Sequence, residues 1–145
     1  MEIQEMMSAP VYTVKATATV QFAAEMMATH NVGALPVTED GELVGIITDR
    51  DIVLRCMAPG LSPSATDVSA IMTERPLALT PRDDVEDVAY TFMDTRVRRL
   101  PVVEEGHPVG MVTVDDVARR WGNDQGTLLM VRRVAPRRKK IVSAA

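Results

Sequence analysis

The chain has 145 residues and a formal net charge of −4, with 46% hydrophobic, 25% charged and only 3% aromatic residues, the balance of a soluble globular protein of one domain or two small units. No stretch approaches the roughly 20 apolar residues of a spanning helix and the acidic N-terminus lacks a signal-peptide pattern, so a soluble, cytoplasmic chain is expected. Cys56 is the single cysteine, which excludes an internal disulfide and fits a reducing compartment; His30 and His107 share no ligand spacing with it, so no metal site and no thiol nucleophile are expected.

A short β-like piece is predicted over residues 10–14. Thr17 and Thr19 then offer N-cap chemistry ahead of Val20, Ala23, Ala24 and Met27, whose spacings of three and four predict an amphipathic helix ending at Asn31. Strands follow at 35–38 and 43–47, joined by Asp40-Gly41, a strong hairpin signal. After Thr48-Asp49-Arg50-Asp51 comes a helix over 51–57, and the turn-rich run 58–66 reads as a linker. The same elements then return. A β-like piece at 76–80 precedes Asp83 and Asp84 as caps, and Val85, Val88, Ala89, Phe92 and Met93 mark a helix that gives out around Arg96. Strands at 100–103 and 109–112 turn through Glu105-Gly106-His107-Pro108, with Pro108 tolerable near a strand start or edge. A last helix is predicted over 116–121. Beyond Gly122, residues 125–134 read as a short strand or as a helix. With so few aromatics, aliphatic side chains and the ten Met must fill the core.

The recurrence is a tandem duplication. A displacement of 65 residues carries Met7 onto Met72, Val20 onto Val85, Leu35-Pro36-Val37 onto Leu100-Pro101-Val102, Gly41 onto Gly106, Thr48 onto Thr113 and Asp51 onto Asp116, without a gap. The expected fold is mixed α/β (α+β). Two β-α-β-β-α repeats, each too small to bury enough surface alone, pack sheet to sheet about a pseudo-twofold axis and share one core. The repeats are placed at 1–60 and 68–124, the linker at 61–67 and a C-terminal segment at 125–145.

Each Thr-x-x-Asp lies where a strand feeds a helix. A capping box explains the spacing: Thr bonds a backbone N–H and the acid reaches back. The same geometry also presents N–H groups and a positive dipole end to an anion. An Asp there can accept both hydrogen bonds of a ribose cis-diol, and Thr adds a hydroxyl. The halves differ just before Leu-Pro-Val, where the first has Val32-Gly33-Ala34 and the second Val97-Arg98-Arg99. Arg meets phosphate through a planar fork that Gly and Ala lack; the plain alternative for Arg98 and Arg99 is surface charge or pairing with Asp94 or Glu104. No glycine-rich phosphate loop, Ser-His-Asp arrangement or His cluster suggests catalysis, and Asp83-Asp84 and Asp115-Asp116 sit at helix starts, where the dipole accounts for them. The chain is therefore read as a non-enzyme.

These features resemble a family. Met7-Ser8 and Met72-Thr73, Leu-Pro-Val twice, Gly41 and Gly106, and Gly-x-x-Thr-x-x-Asp twice are together similar to a tandem pair of cystathionine-β-synthase (CBS) domains, a Bateman module, over residues ~3–122. The resemblance implies a sensor that binds AMP, ADP or ATP, with S-adenosylmethionine and NAD as further candidates, in clefts between the halves. It also implies a disc-like homodimer that passes ligand state to a regulated protein, with no resident cofactor. Members of the family commonly contact phosphate through an Arg just ahead of Leu-Pro, in the cleft whose ribose Asp comes from the other half. Carried over by position, Arg99 and Pro101 join Thr48, Arg50 and Asp51, with Ile46, Leu77 and Ala78 around the base. The opposite cleft would combine Met111, Thr113 and Asp116 with Val11, Tyr12, Ala34 and Pro36. It lacks the phosphate Arg and has Asp115 nearby, so it is expected to be weaker, empty, or suited to a less negative ligand.

Two rival readings stand beside the sensor. One is a constitutive dimerisation or scaffold unit whose junctions are only capping boxes. The other is nucleic-acid association through the tail from Arg132, whose six positive charges, taken from the net −4, leave the remainder near −10. No membrane association is expected.

Overall fold

The computed structural model describes residues 1–95 and 97–120; Arg96, Trp121, the 125–134 segment and the basic tail lie outside the described residues. The first repeat contributes β1 (Val14–Lys15), α1 (Val20–His30), β2 (Ala34–Glu39), β3 (Glu42–Thr48) and α2 (Asp49–Asp51), which continues through Ile52–Met57 with wider, π-type turns. The second contributes β4 (Thr73–Glu74), α3 (Val85–Thr95), β5 (Arg99–Glu104), β6 (His107–Thr113) and α4 (Val114–Arg120). The fold is the mixed α+β arrangement expected, and the two halves meet where β3 lies against β6.

Local chemistry sets the ends of these elements. Thr19 Oγ1 accepts from the Phe22 amide at 3.1 Å and starts α1, and Asn31, left-handed at φ 51°, ends it. Asp84 Oδ1 accepts from the Glu86 amide at 2.9 Å ahead of α3. Both hairpins close on two residues with positive φ, Asp40 (50°) with Gly41 (80°) and Glu105 (50°) with Gly106 (82°), the mirror-image turn that suits the twist of paired strands. The second turn is thus tighter than the four residues expected from the sequence. His107 and Pro108 belong to β6, and Pro108 fits because the ladder is irregular between Val102 and Val103. The first hairpin has its irregularity at the matching place, between Val37 and Thr38.

The predicted β-like pieces shrink. Only Val14–Lys15 of the first pairs, in parallel with Val37 and Thr38 of β2. The second is reduced to a single parallel bridge, Leu79 to Val102. In their place each sheet gains an edge from the other repeat. β4 runs antiparallel to β3, with Thr73 opposite Ile46 and Glu74 opposite Gly45, and Ser8 bridges Met111 on β6.

This exchange replaces the single shared core with two. One cluster joins Val14, Val20, Ala23, Leu35, Val37 and Ile47 of the first half to Val68 and Ile71. The other joins Val85, Val88, Phe92, Leu100, Val102 and Val112 of the second half to Ile3 and Met6. Backbone bonds fasten both crossings: the amides of Ile3 and Gln4 donate to Asp83 and Pro81, and those of Val68 and Ser69 to Ala18 and Ala16, all between 2.8 and 3.1 Å. Ile3 is fully buried, so trimming it to Ala should cost about 2–5 kcal/mol from the opposite half's core. Met7 and Met72, which the repeat aligns, do the same work on either side: each sulfur sits 2.5 Å from where a Cβ on Gly110 or Gly45 would project. Glycine there is what permits the leading segments to approach β6 and β3.

Candidate functional site

The two strand-to-helix junctions both form capping boxes. At the first, the Asp51 amide donates to Thr48 Oγ1 at 3.1 Å and the Thr48 amide donates to Asp51 Oδ2 at 3.0 Å. At the second, the Asp116 amide donates to Thr113 Oγ1 at 3.1 Å, and both the amide and the hydroxyl of Thr113 donate to Asp116 Oδ2 at 2.8 and 2.7 Å. Each helix start is also tied to the strand before its hairpin, through Asp49 N to Gly33 O at 3.0 Å and Val114 N to Arg98 O at 2.9 Å. The Arg50 amide donates to Asp49 Oδ1 at 2.9 Å. The first three amides of α2 are therefore engaged by Gly33, Asp49 and Thr48. Contrary to the expectation of N–H groups presented to an anion, these amides are occupied by the protein itself, and the polar groups left to the junction are side chains.

Around the first junction lies a cavity of about 430 Å³ whose walls come from both halves. Ile46, Thr48, Arg50, Asp51, Leu77, Arg99 and Pro101 line it as the sequence suggested. Ala78 is not among its lining residues; its neighbour Leu79 is drawn into the core by the bridge to Val102, and Leu77 and Pro76 face the cavity instead. Asp49, Thr73, Pro76, Val97, Arg98 and Leu100 also line it and are not among the residues carried over by position, although the sequence weighs Arg98 together with Arg99 as a phosphate contact and Asp49 lies inside the Thr48–Asp51 junction. The cavity has an apolar shelf of Ile46, Leu77 and Val97, two carboxylates and three guanidinium groups.

The second cavity, about 300 Å³, brings together Val11, Tyr12, Ala34, Met111 and Thr113. Two expected members are missing from its lining. Pro36 is buried within the sheet opposite Ile46, and Asp116 is turned to Arg119, whose Nη2 donates to its Oδ1 at 2.9 Å. The charge pattern is also corrected. Arg99 lines this cavity as well as the first, and neither Asp115 nor Asp116 does. Its lining residue Tyr12 is held by a contact that no local pattern announced: the ring stacks on His30, with centroids 3.7 Å apart and planes 13° from parallel.

The junction carboxylates thus differ. Both oxygens of Asp116 have partners within 3 Å, whereas Asp51 Oδ1 has only a long approach of 3.8 Å from Arg55 Nε. Asp51, which lines the first cavity, keeps an oxygen with acceptor capacity. Among the described residues no cluster of three or more His, Cys, Asp or Glu could hold a metal ion, and no helix is long and apolar enough to cross a membrane.

A duplicated α+β unit with a cleft on either side of its pseudo-twofold axis defines a class of paired-repeat modules. The chain belongs to the CBS domain family, whose model matches residues 3–57 and 68–122; such tandem pairs are regulatory ligand-binding modules. It is 40% identical over 116 residues to the CBS domain-containing protein YhcV of Bacillus subtilis, covering 80% of this chain and 82% of that one. The crystal structure of Hypoxic Response Protein I with two coordinated zinc ions superposes with a TM-score of 0.75 at 32% identity, covering 83% of this chain and 98% of that one. A hexameric CBS-CP12 protein from bloom-forming cyanobacteria gives 0.74 at 33% identity, over 83% and 71% of the two chains.

Proposed function

We propose that the chain is a non-catalytic regulatory module that senses an adenine nucleotide, AMP, ADP or ATP, in the first cleft and thereby biases the activity of a partner protein in the cytoplasm. The observation that carries this reading is the meeting of Asp51, with Oδ1 turned to no close partner, and Arg50, Arg98 and Arg99 around one 430 Å³ cavity. A carboxylate at that position suits a ribose diol, the guanidinium groups suit phosphates, and Ile46, Leu77 and Val97 offer an apolar bed for a base. S-adenosylmethionine and NAD share the adenosine half and compete for the same reading.

The module pairs with a second copy. Val53, Leu54 and Met57, on the continuation of α2, and the nearby Leu61 are 45–62% exposed, and a cluster of large apolar side chains in solvent marks an interaction face.

Thermal shift followed by calorimetric titration with AMP, ADP, ATP, S-adenosylmethionine and NAD tests the function. Ligand in excess over its dissociation constant should raise the melting temperature, and Asp51→Ala should remove the tightest binding event. Silence across the whole panel at millimolar concentration would leave the scaffold reading in its place.

A further inference from the structure

Arg99 is common to the two cavities, lining the first beside Arg50 and Arg98 and the second as the only charged lining residue among those described. Its guanidinium lies over the backbone of Gly33, with Nη1 only 2.9 Å from where a Cβ on Gly33 would stand, and Asp49 Oδ2 comes to 3.1 Å from the same point. Gly33 lines the second cavity and Asp49 the first. The guanidinium therefore sits at the wall between the clefts, and the absence of a side chain at Gly33 is what leaves it room there.

We infer that Arg99 couples the two clefts in opposition, so that a phosphorylated ligand held by this guanidinium in one cleft weakens the binding of a second such ligand in the other. The inference rests on the nucleotide reading above and adds to it how the two clefts communicate. One guanidinium offers a single planar fork, and it cannot make bidentate contact with two phosphates on opposite sides of a wall. The clefts have unequal reserves. The first keeps Arg50 and Arg98 when Arg99 turns away, while the second keeps no cation among its lining residues. The first cleft consequently fills first. The coupling is reciprocal as a matter of thermodynamics: whatever factor the first ligand imposes on the second, the second imposes on the first. No movement of the backbone is needed, because the two states differ in where one long side chain points.

The test uses calorimetric titration of the full chain with AMP, on the wild type and two variants. Asp51→Ala disables the first cleft and leaves Arg99 to the second, so AMP should bind that variant at least tenfold more tightly than it binds in the second step of the wild type. Ala34→Arg gives the second cleft an arginine at the position that the repeat aligns with Arg99. It should bring the second binding step up by a similar factor without weakening the first. The inference is overturned if the wild type binds two AMP molecules independently, if the second-step affinity is the same in Asp51→Ala as in the wild type, or if Ala34→Arg leaves that step unchanged. One AMP bound by the wild type and none by Asp51→Ala would overturn the sharing of Arg99 while leaving the nucleotide reading intact. No AMP bound by any of the three would overturn both.

Discussion

Asp116 and Arg119 are joined at 2.9 Å, and that ion pair separates two junctions that are otherwise alike. The position that Arg119 holds in α4 is occupied in the first repeat by Leu54, so Asp51 lacks a cation at that spacing and has only the more distant Arg55 Nε at 3.8 Å. Exchanging the two residues makes the difference measurable. Leu54→Arg should give Asp51 Oδ1 a cation at the same spacing and weaken AMP binding in the first cleft by about tenfold, the scale of one charge-assisted hydrogen bond. Arg119→Leu should change stability by no more than about 0.5 kcal/mol, because the Arg119 side chain is 73% exposed and the pair is screened. Urea unfolding and AMP titration of both variants check this.

Gly45 is where β4 closes on β3. An added Cβ would stand 2.5 Å from Met72 Sδ and 2.9 Å from the Thr73 carbonyl oxygen. The thioether can swing aside but the backbone carbonyl cannot, so Gly45→Ala should cost about 1–3 kcal/mol. Adding Met72→Ala should recover little of it, since the carbonyl remains. Denaturant midpoints of the single and double variants decide the matter.

The face formed by Val53, Leu54 and Met57 has no apolar equivalent in the described part of the second repeat, where the aligned residues include Ala118 and Arg119. Pairing should therefore match first repeat with first repeat about a twofold axis, which brings like apolar patches together. Leu54→Glu with Met57→Glu should convert a dimer into a monomer in sedimentation experiments at micromolar concentration, with the melting temperature falling only as far as the lost association requires.

Asp84, just ahead of α3, has its acidity shifted by its neighbours. The Glu86 amide donating to its carboxylate, helped by the Met1 ammonium group 3.3 Å away, holds its carboxyl below the usual range. A carboxyl depressed in the folded state stabilises it above the unfolded value of about 3.9, and the contribution is lost as pH falls through the lower folded value. Asp84→Asn keeps a capping oxygen but loses the charge. Its melting temperature should lie slightly below the wild type's near neutral pH, and the gap should close below about pH 4. A gap that widens on acidification would contradict the sign.

Much of this was readable because the signals were local. Asp40-Gly41 and the aligned Gly106 announce mirror-image turns, Thr19 and Asn31 bracket a periodic helix, and Thr48 with Asp51 states a capping box within four residues. What escaped depends on neighbours distant in the chain. Nothing around Ile3 or Val68 says that their burial partners lie in the other repeat. The Tyr12–His30 stack and the reach of Arg99 into both cavities join segments that no periodicity links. Pro36 shows a further limit: it and the aligned Pro101 are both buried in their sheets, yet only Pro101 lines a cavity, so position in a repeat does not by itself place a residue in a cleft. The Asp116–Arg119 pair, by contrast, was accessible in principle, because acid and base three residues apart on a helix are neighbours.

The exchange of leading segments has a consequence for how such a chain could arise and be taken apart. A lone repeat has no partner to supply the segment that closes its core, so it can fold only by borrowing that piece from another copy of itself. Joining two copies in one chain turns that loan between molecules into an internal one, at an effective concentration set by the linker. Expressed as separate halves, residues before and after the linker should be unfolded when alone and regain structure on mixing, each restoring the other.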